Sequence, residues 1–409
     1  MPHVRVAVLV LVILLASGVA WATAPAPAPA AEPPKGPPML TGLAFQKIKI
    51  SEEAYESAAA FDINNDGKPD IACGAWWYEG PDFQKKHKIG DLKVVGGDYY
   101  DDFSTLPLDV NGDGYTDFVT GGWFCGAVQW RENPKGDPAR EWPLHEIAKT
   151  GNVETTRAWD VDGDGKPEIV PNTPGGPQRI YKLILDAAGK GTGKFAESII
   201  HDARTGHGFG CGDVNGDGRP DIVLAKGWLE APAKPLGGEK WVFHQEFDLG
   251  GGTSCPVIVT DVNGDGRADL IVGNGHGYGL DWHEQKLDGG KRTFVKHPID
   301  PGSSQYHDLI WTDIDGDGKP ELVTGKRRHA HRGKDPGDAD PAGIHYFKWN
   351  GQGFDKYIID YGPQPGGKGC GICFQVVDVD GDGRPDVVAP GKDGLVLYKN
   401  LGSAKPPAK

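Results

Sequence analysis

Asp213-Val214-Asn215-Gly216-Asp217-Gly218-Arg219-Pro220-Asp221 is the stretch on which the reading of the fold turns. Side-chain oxygens fall at its positions 1, 3, 5 and 9, and a glycine stands at position 6. That spacing suits a loop wrapped around one hard cation. Calcium takes roughly 6–8 oxygen ligands, and the sharp turn that glycine permits brings the next backbone carbonyl within reach. An apolar run, Ile222-Val223-Leu224-Ala225, follows at once and reads as a strand.

The unit recurs seven times. Its ligand positions are Asp62, Asn64, Asp66 and Asp70, then Asp109, Asn111, Asp113 and Asp117, then Asp160, Asp162, Asp164 and Glu168. Asp213, Asn215, Asp217 and Asp221 form the fourth set, and Asp261, Asn263, Asp265 and Asp269 the fifth. Asp313, Asp315, Asp317 and Glu321, and finally Asp378, Asp380, Asp382 and Asp386, complete the series. The starts are 47, 51, 53, 48, 52 and 65 residues apart. A repeat of this length points to a propeller or a solenoid. The loops resemble the first half of an EF-hand loop, except that a strand follows where an EF-hand continues into a helix.

Length alone, at 409 residues, admits two or three domains, but equivalent repeats form one array. The 62 glycines and 33 prolines fit many short strands joined by turns. Formal charge is −14, and the motif positions carry 24 carboxylates. The acidity therefore reads as ligand supply for up to seven structural calcium ions, which argues against a nucleic-acid partner.

His3 and Arg5, the apolar run Val6 to Ala16 and the small-residue pattern Ala20-Trp21-Ala22 read as a secretory signal over 1–22. The alternative, an uncleaved anchor, needs a run of roughly 20 apolar residues. The chain is thus expected to be exported, periplasmic or extracellular, with no stable membrane span after cleavage. Residues 23–39 read as an Ala/Pro-rich linker and 401–409 as a disordered tail. Export permits disulfides among the six cysteines, and Cys370-Gly371-Ile372-Cys373 reads as strand packing or a local bridge.

Each unit repeats one anatomy. An apolar strand enters the loop, as in Val257–Thr260, and a second leaves it, as in Leu270-Ile271-Val272. A third is aromatic-rich, as in Ala127-Val128-Gln129-Trp130, and a fourth carries His and Ile, as in Phe294 to Ile299. Four short strands repeated radially make a propeller blade. The last unit has three strands, and Phe45 to Ile50 is an orphan copy of the fourth. The expected fold is all-β: a single seven-bladed β-propeller over 40–400, its last blade closed by that N-terminal strand so that no edge is left open. His87, His145 and His297 fall on fourth strands and read as packing residues.

The loop pattern is similar to that of the FG-GAP or VCBS repeat family, whose calcium-braced blades also form integrin alpha-subunit propellers. The resemblance implies the fold and the calcium, and leaves function open, because the family includes adhesion modules and enzymes.

The loops join first and second strands, so the opposite ends of those strands gather at a second rim. That mouth should collect Trp76, Trp77, Tyr99, Tyr100, Asp101, Asp102, Trp123, Glu154, His207 and Trp228 from the first half of the chain. The second half adds His276, Tyr278, Tyr306, His307, Asp308, Lys326, Arg327, Arg328, His329, His331, Asp335 and Lys392. Aromatic faces suit sugar rings, histidine suits proton transfer near neutrality, and Arg or Lys suits an enolate or a carboxylate. Three histidines and a carboxylate also suit zinc or another divalent metal with an open position.

The stretch Lys326-Arg327-Arg328-His329-Ala330-His331, with Tyr306-His307-Asp308 ahead of it, resembles the propeller part of fungal aldos-2-ulose dehydratases. That likeness implies a carbon–oxygen lyase of the sugar-dehydratase type acting beside the carbonyl of a keto-sugar. His307, His331, His276, Arg327, Tyr306 and Asp308 would then be catalytic. Trp76, Trp77, Tyr100, Trp123, His207, Lys326 and His329 would bind substrate. The alternative is a non-catalytic extracellular propeller that binds glycan or protein; in either case a monomer is expected. Asp101, Asp102 and Glu154 leave paired-carboxylate glycoside hydrolysis open. No G-x-S-x-G elbow, phosphate loop or dinucleotide fingerprint is present.

Overall fold

The computed structural model describes residues 35–363 and 366–403. The segment read as a secretory signal, residues 23–34 of the Ala/Pro-rich stretch and residues 404–409 lie outside the described residues. Within them the chain is nearly all-β and propeller-like; the single helical element is a three-residue 3-10 turn, Ala330–Arg332.

Four-stranded antiparallel meanders follow one another along the chain, each pairing its strands in sequence order. The unit around Asp213 is representative. Phe209–Gly212 pairs with Asp221–Leu224, which pairs with Gly227–Glu230, which pairs with Val242–His244. Phe209–Gly212 also pairs in parallel with Val257–Thr260, so two meanders share one eight-stranded sheet. The orphan strand behaves as expected: Leu43–Ser51 runs antiparallel to Leu395–Ser403, with Phe45 opposite Asn400 and Lys47 opposite Tyr398. Two boundaries move. Residues 401–403, read as tail, extend that strand, and Met39–Leu40, read partly as linker, pairs in parallel with Lys356 and Tyr357.

The cores lie between neighbouring sheets. Val161, Val170 and Ile180 of one meander pack on Phe209, Ile222 and Leu229 of the next. Val214, Val223 and Trp228 meet Val257, Leu270 and Val272 in the same way. The last meander closes on the first through Val388, Leu395 and Leu397 against Tyr55, Ala58 and Ile71. All six cysteines are free, so Cys370 and Cys373 are packing residues and form no bridge.

Each loop is built from its own carboxylates. Asp213 Oδ1 accepts from the amides of Gly216 and Asp217 at 2.7 and 3.1 Å, and its Oδ2 from Gly218 at 2.7 Å. Gly216 and Gly218 sit at φ 77° and 86°, where a side chain would be strained. Position 9 has a second role that spacing alone did not reveal. Asp221 is fully buried and accepts from Val214 and from Ala231, both at 2.9 Å, tying the loop to the end of the third strand. Asp70, Asp117, Asp269 and Asp386 repeat both bonds, whereas Glu168 and Glu321 make the first alone. Burial, helped by the neighbouring loop carboxylates and opposed by the backbone amides, pushes Asp70 and Asp221 up to about 6 and Asp117 to about 7.

Candidate functional site

The opposite ends of these strands meet where the topology places them. Glu154 precedes the first strand Thr155–Trp159, and His207 precedes Phe209–Gly212. His307 lies inside Tyr306–Thr312, beside a register shift between Tyr306 and Leu309. His276 follows the second strand Asp269–Gly273, and Arg327 follows Glu321–Lys326.

One ligand atom each from Glu154, His207, His276 and His307 lies within 4.8 Å of every other. His207 Nδ1 donates to the carbonyl of Thr253 at 2.7 Å, and His276 Nδ1 donates to Asp335 Oδ2 at 3.1 Å. Both rings, when neutral, therefore aim Nε2 lone pairs at each other across 3.0 Å. Burial first, then the charges of His207 and Arg327, holds His276 down to about 4, so the ring is neutral at physiological pH. Two facing lone pairs repel unless a cation sits between them. A tetrahedral ion with ligands at roughly 2.0–2.1 Å sets them roughly 3.3 Å apart, close to the spacing here.

Glu154 completes the cluster. Its Oε1 lies 3.1 Å from His307 Nε2, 3.4 Å from His207 Nε2 and 3.3 Å from Arg327 Nη1. Burial alone would raise its pKa, but the hydrogen bonds of His207 and His307 outweigh that and hold it well below the ordinary carboxylate range. His307 is fully buried, and burial and the Arg327 charge keep it neutral. Three imidazoles, of which those of His276 and His307 are held neutral, and an ionised carboxylate form a donor set that fits zinc or a similar ion, and the Asp335–His276 bond is the orienting contact such ligands usually have.

A cavity of about 370 Å³ opens beside the cluster. Tyr99, Phe103, Trp123 and Phe124 line one side, and Glu154, Arg327 and His331 the other. His331 is exposed; it stacks on His276 at 4.6 Å and shares Asp335, 2.9 Å from its Nδ1. It sits in a segment where His329, His331 and Arg332 adopt φ of 62°, 47° and 58°. Left-handed backbone at non-glycine residues costs on the order of 1 kcal/mol each and is concentrated at functional sites. Lys326 Nζ, donating to the carbonyls of Gly337, Asp338 (3.1 Å) and Asp340 (2.9 Å), and the Tyr278 hydroxyl, donating to Asp340 at 2.6 Å, hold this segment in place.

Several residues expected at the mouth serve elsewhere. Tyr306 is fully buried between sheets and donates to Asp300 at 2.7 Å. Asp308 is committed to Arg157 at 2.6 Å and to the Phe374 amide at 3.0 Å, beneath the cluster and away from the cavity. Trp77 is buried against His87 at 4.3 Å, and Trp228 against His244 at 4.4 Å. Trp76 lies under Lys86 and Tyr100 packs edge-on against Tyr55, neither lining the cavity. Lys326 grips backbone, and His329 faces Asp338 at 3.4 Å, so neither reaches the cavity. The reason is common to them: a topological end of a strand says which rim a residue is on, and not which way its side chain points.

His207, read as a substrate contact, joins the cluster of Glu154, His276 and His307 instead. Glu56, Phe103 and Phe124 were missed. Glu56 receives Arg327 Nε at 2.9 Å, and its place just ahead of the strand Ala58–Phe61 matches that of Glu154 ahead of its own strand. That equivalence was the available signal.

At the loop rim, Asp160, Asp162 and Glu168 form a cluster able to hold a cation, as do Asp313, Asp315 and Glu321, and Asp378, Asp380 and Asp386.

The FG-GAP-like repeat family profile matches residues 109–170 and 239–324, so the chain carries FG-GAP-like repeats. Two solved structures of BBS1N in complex with ARL6DN, soaked with lead and with mercury, are similar in fold. Both align at TM-score 0.50 and 11% identity, the first over 91% of this chain and 99% of that one, the second over 90% and 98%. No curated protein matches the chain. Among the described residues, no helix is long and apolar enough to cross a membrane.

Proposed function

We propose that this chain is an exported, seven-bladed, calcium-braced propeller whose mouth holds a divalent metal of the zinc class and eliminates water from a keto-sugar. The observation that carries the reading is the pair of Nε2 atoms of His207 and His276, 3.0 Å apart beside Glu154 and His307. Such a cluster supports a cation, and the aromatic wall of Tyr99, Trp123 and Phe124 suits the face of a sugar ring.

When bound, the metal would polarise the substrate carbonyl and stabilise the enolate that forms beside it. The protein's own groups do the rest. His331, exposed and oriented by Asp335, takes the proton from the carbon next to the carbonyl. The electron pair of that C–H bond becomes the carbon–carbon double bond, and the β-hydroxyl leaves, with a proton, as water. Arg327 is already bound to Glu56 and Glu154, so it positions Glu154 and does not itself bind the enolate. At the other rim, calcium in the acidic loops would brace the turns between first and second strands.

The test joins metal content with turnover. The purified chain should carry about one equivalent of a transition metal in addition to calcium, and keto-sugars such as anhydrofructose should develop the ultraviolet absorbance of a conjugated enone. Metal without absorbance across a sugar panel, together with glycan-array binding, would instead establish the non-catalytic binder.

A further inference from the structure

Seven copies of one loop inside one chain act as their own alignment, and the third strand of each meander reads out a second pattern. In each unit the residue after position 9 pairs across the sheet: Ile71 with Tyr78, Phe118 with Arg131, Ile169 with Tyr181, Ile222 with Leu229. Leu270 pairs with His283, Leu322 with Phe347 and Val387 with Tyr398. The next third-strand residue is thus level with position 9, beside the loop. It is Glu79, Glu132, Glu230 and Glu284 in four units, and Lys182, Lys348 and Lys399 in three.

The choice follows position 3 of the loop without exception. Where position 3 is Asn (64, 111, 215, 263), the neighbour is Glu; where it is Asp (162, 315, 380), the neighbour is Lys. The polarity explains the match. Asn111 Nδ2 donates to Glu132 at 3.4 Å, and Asn263 Nδ2 to Glu284 at 3.0 Å, while Asn215 Nδ2 turns to Asp217 of its own loop at 2.9 Å. In the other class the outward atom is an oxygen and its partner a cation. Lys182 Nζ reaches Asp162, Asp164 and Glu168 at 2.5, 2.7 and 3.1 Å. Lys348 touches Asp315 and lies 2.7 Å from Asp317 and 3.5 Å from Glu321, and Lys399 lies 3.2 Å from Asp380. The second oxygens of Glu168 and Glu321 belong to fully buried side chains, accept no hydrogen bond, and have that ammonium as their cationic neighbour.

A further device marks the glutamate class alone. Trp77, Trp130, Trp228 and Trp282, two residues before each glutamate, stand opposite His87, His145, His244 and His297 in the sheet. The rings lie 4.3–4.5 Å apart. Each histidine Nε2 lies 2.7–3.2 Å from its glutamate. These four glutamates are therefore clamped in place by a stacked histidine.

We infer that the loops form two chemical classes of cation site. Those beginning at Asp62, Asp109, Asp213 and Asp261 bind calcium tightly; those beginning at Asp160, Asp313 and Asp378 hold a lysine ammonium against their oxygens and bind calcium at least about tenfold more weakly. Counting the four motif positions and this neighbour, three carboxylates plus Glu make −4 and four plus Lys make −3; the position-7 arginines paired with Asp217, Asp265 and Asp382 occur in both classes and do not separate them. An arriving ion must also displace the ammonium, and one unit charge a few ångströms away is worth more than a factor of about ten at an effective dielectric near 20. The inference rests on the calcium reading of the loops.

Calcium titration of the full, metal-stripped chain, followed by native mass spectrometry, tests it. Four ions should bind in a tight phase and three in a weak one. Seven equivalent ions would overturn the two classes while leaving calcium in the loops, and an absence of calcium binding would overturn the calcium reading itself. In Lys182→Met/Lys348→Met the tight phase should rise from four to six; a count still at four would reject the ammonium's role. Should that variant fail to fold, the paired exchange Asp162→Asn/Lys182→Glu keeps the polarity match, and five tight ions are then expected.

Discussion

The two rims of this propeller are built by opposite strategies. At the loop rim every acidic loop draws its motif oxygens from nine consecutive residues, and the same loop recurs along the chain. At the mouth, Glu154, His207, His276 and His307 come from four separate meanders and converge in one cluster. Local cages can be lost one at a time, because each stabilises its own turn. The mouth depends on every sheet being in register, so it inherits the precision of the whole ring and its loss leaves that ring standing.

The sharpest way to break this contrast is to strip calcium and then restore zinc. Each ion held at a hundredfold excess over its dissociation constant contributes about 2.7 kcal/mol, so four tight loops together contribute on the order of 10 kcal/mol. Thermal denaturation should show a fall in melting temperature of ten degrees or more, and zinc should not restore it. An unchanged melting curve would mean that the loops do not brace the fold. Next in size, His307→Ala should abolish the transition metal and lower keto-sugar turnover at least about 100-fold, with the calcium count unchanged.

Position 9 tests the loop side. Asp221→Ala leaves the amides of Val214 and Ala231 buried without acceptors, at about 1–3 kcal/mol each. Urea unfolding should register the loss while mouth metal content stays constant.

Acidification probes the mouth. In the metal-free protein His276 titrates at about 4, below its unfolded value of 6.5. The unfolded chain binds the extra proton in that window, so this ring's stabilisation is complete above pH 6.5 and is lost as pH falls towards 4. The loss is at most about 3 kcal/mol. His276→Asn should flatten that slope, and a slope unchanged by the substitution would place the titration elsewhere. The smallest effect belongs to Asp335→Asn, which weakens the orientation of His276. It should reduce mouth metal affinity about tenfold and leave melting nearly unchanged.

Most of the fold was legible before any coordinates. A nine-residue motif with glycine at position 6 reports its own geometry, since every bond from Asp213 to Gly216, Asp217 and Gly218 is local. The closing strand was legible too, because Phe45 to Ile50 repeats a pattern that the last unit lacks. The mouth was legible only as a list of residues sharing a rim. Tyr306 and His307 are adjacent in sequence, yet one points between sheets at Asp300 and the other at Glu154 in the mouth cluster.

What the sequence determined by itself is whatever repeats or closes within a few residues: the loops, the strand alternation and the sevenfold recurrence of the motif. Tertiary structure alone decided which side chains converge. The direction of a side chain at a strand's end depends on bulges, register and the packing of the neighbouring sheet. Those are set by contacts far apart in the chain, which a local pattern does not encode.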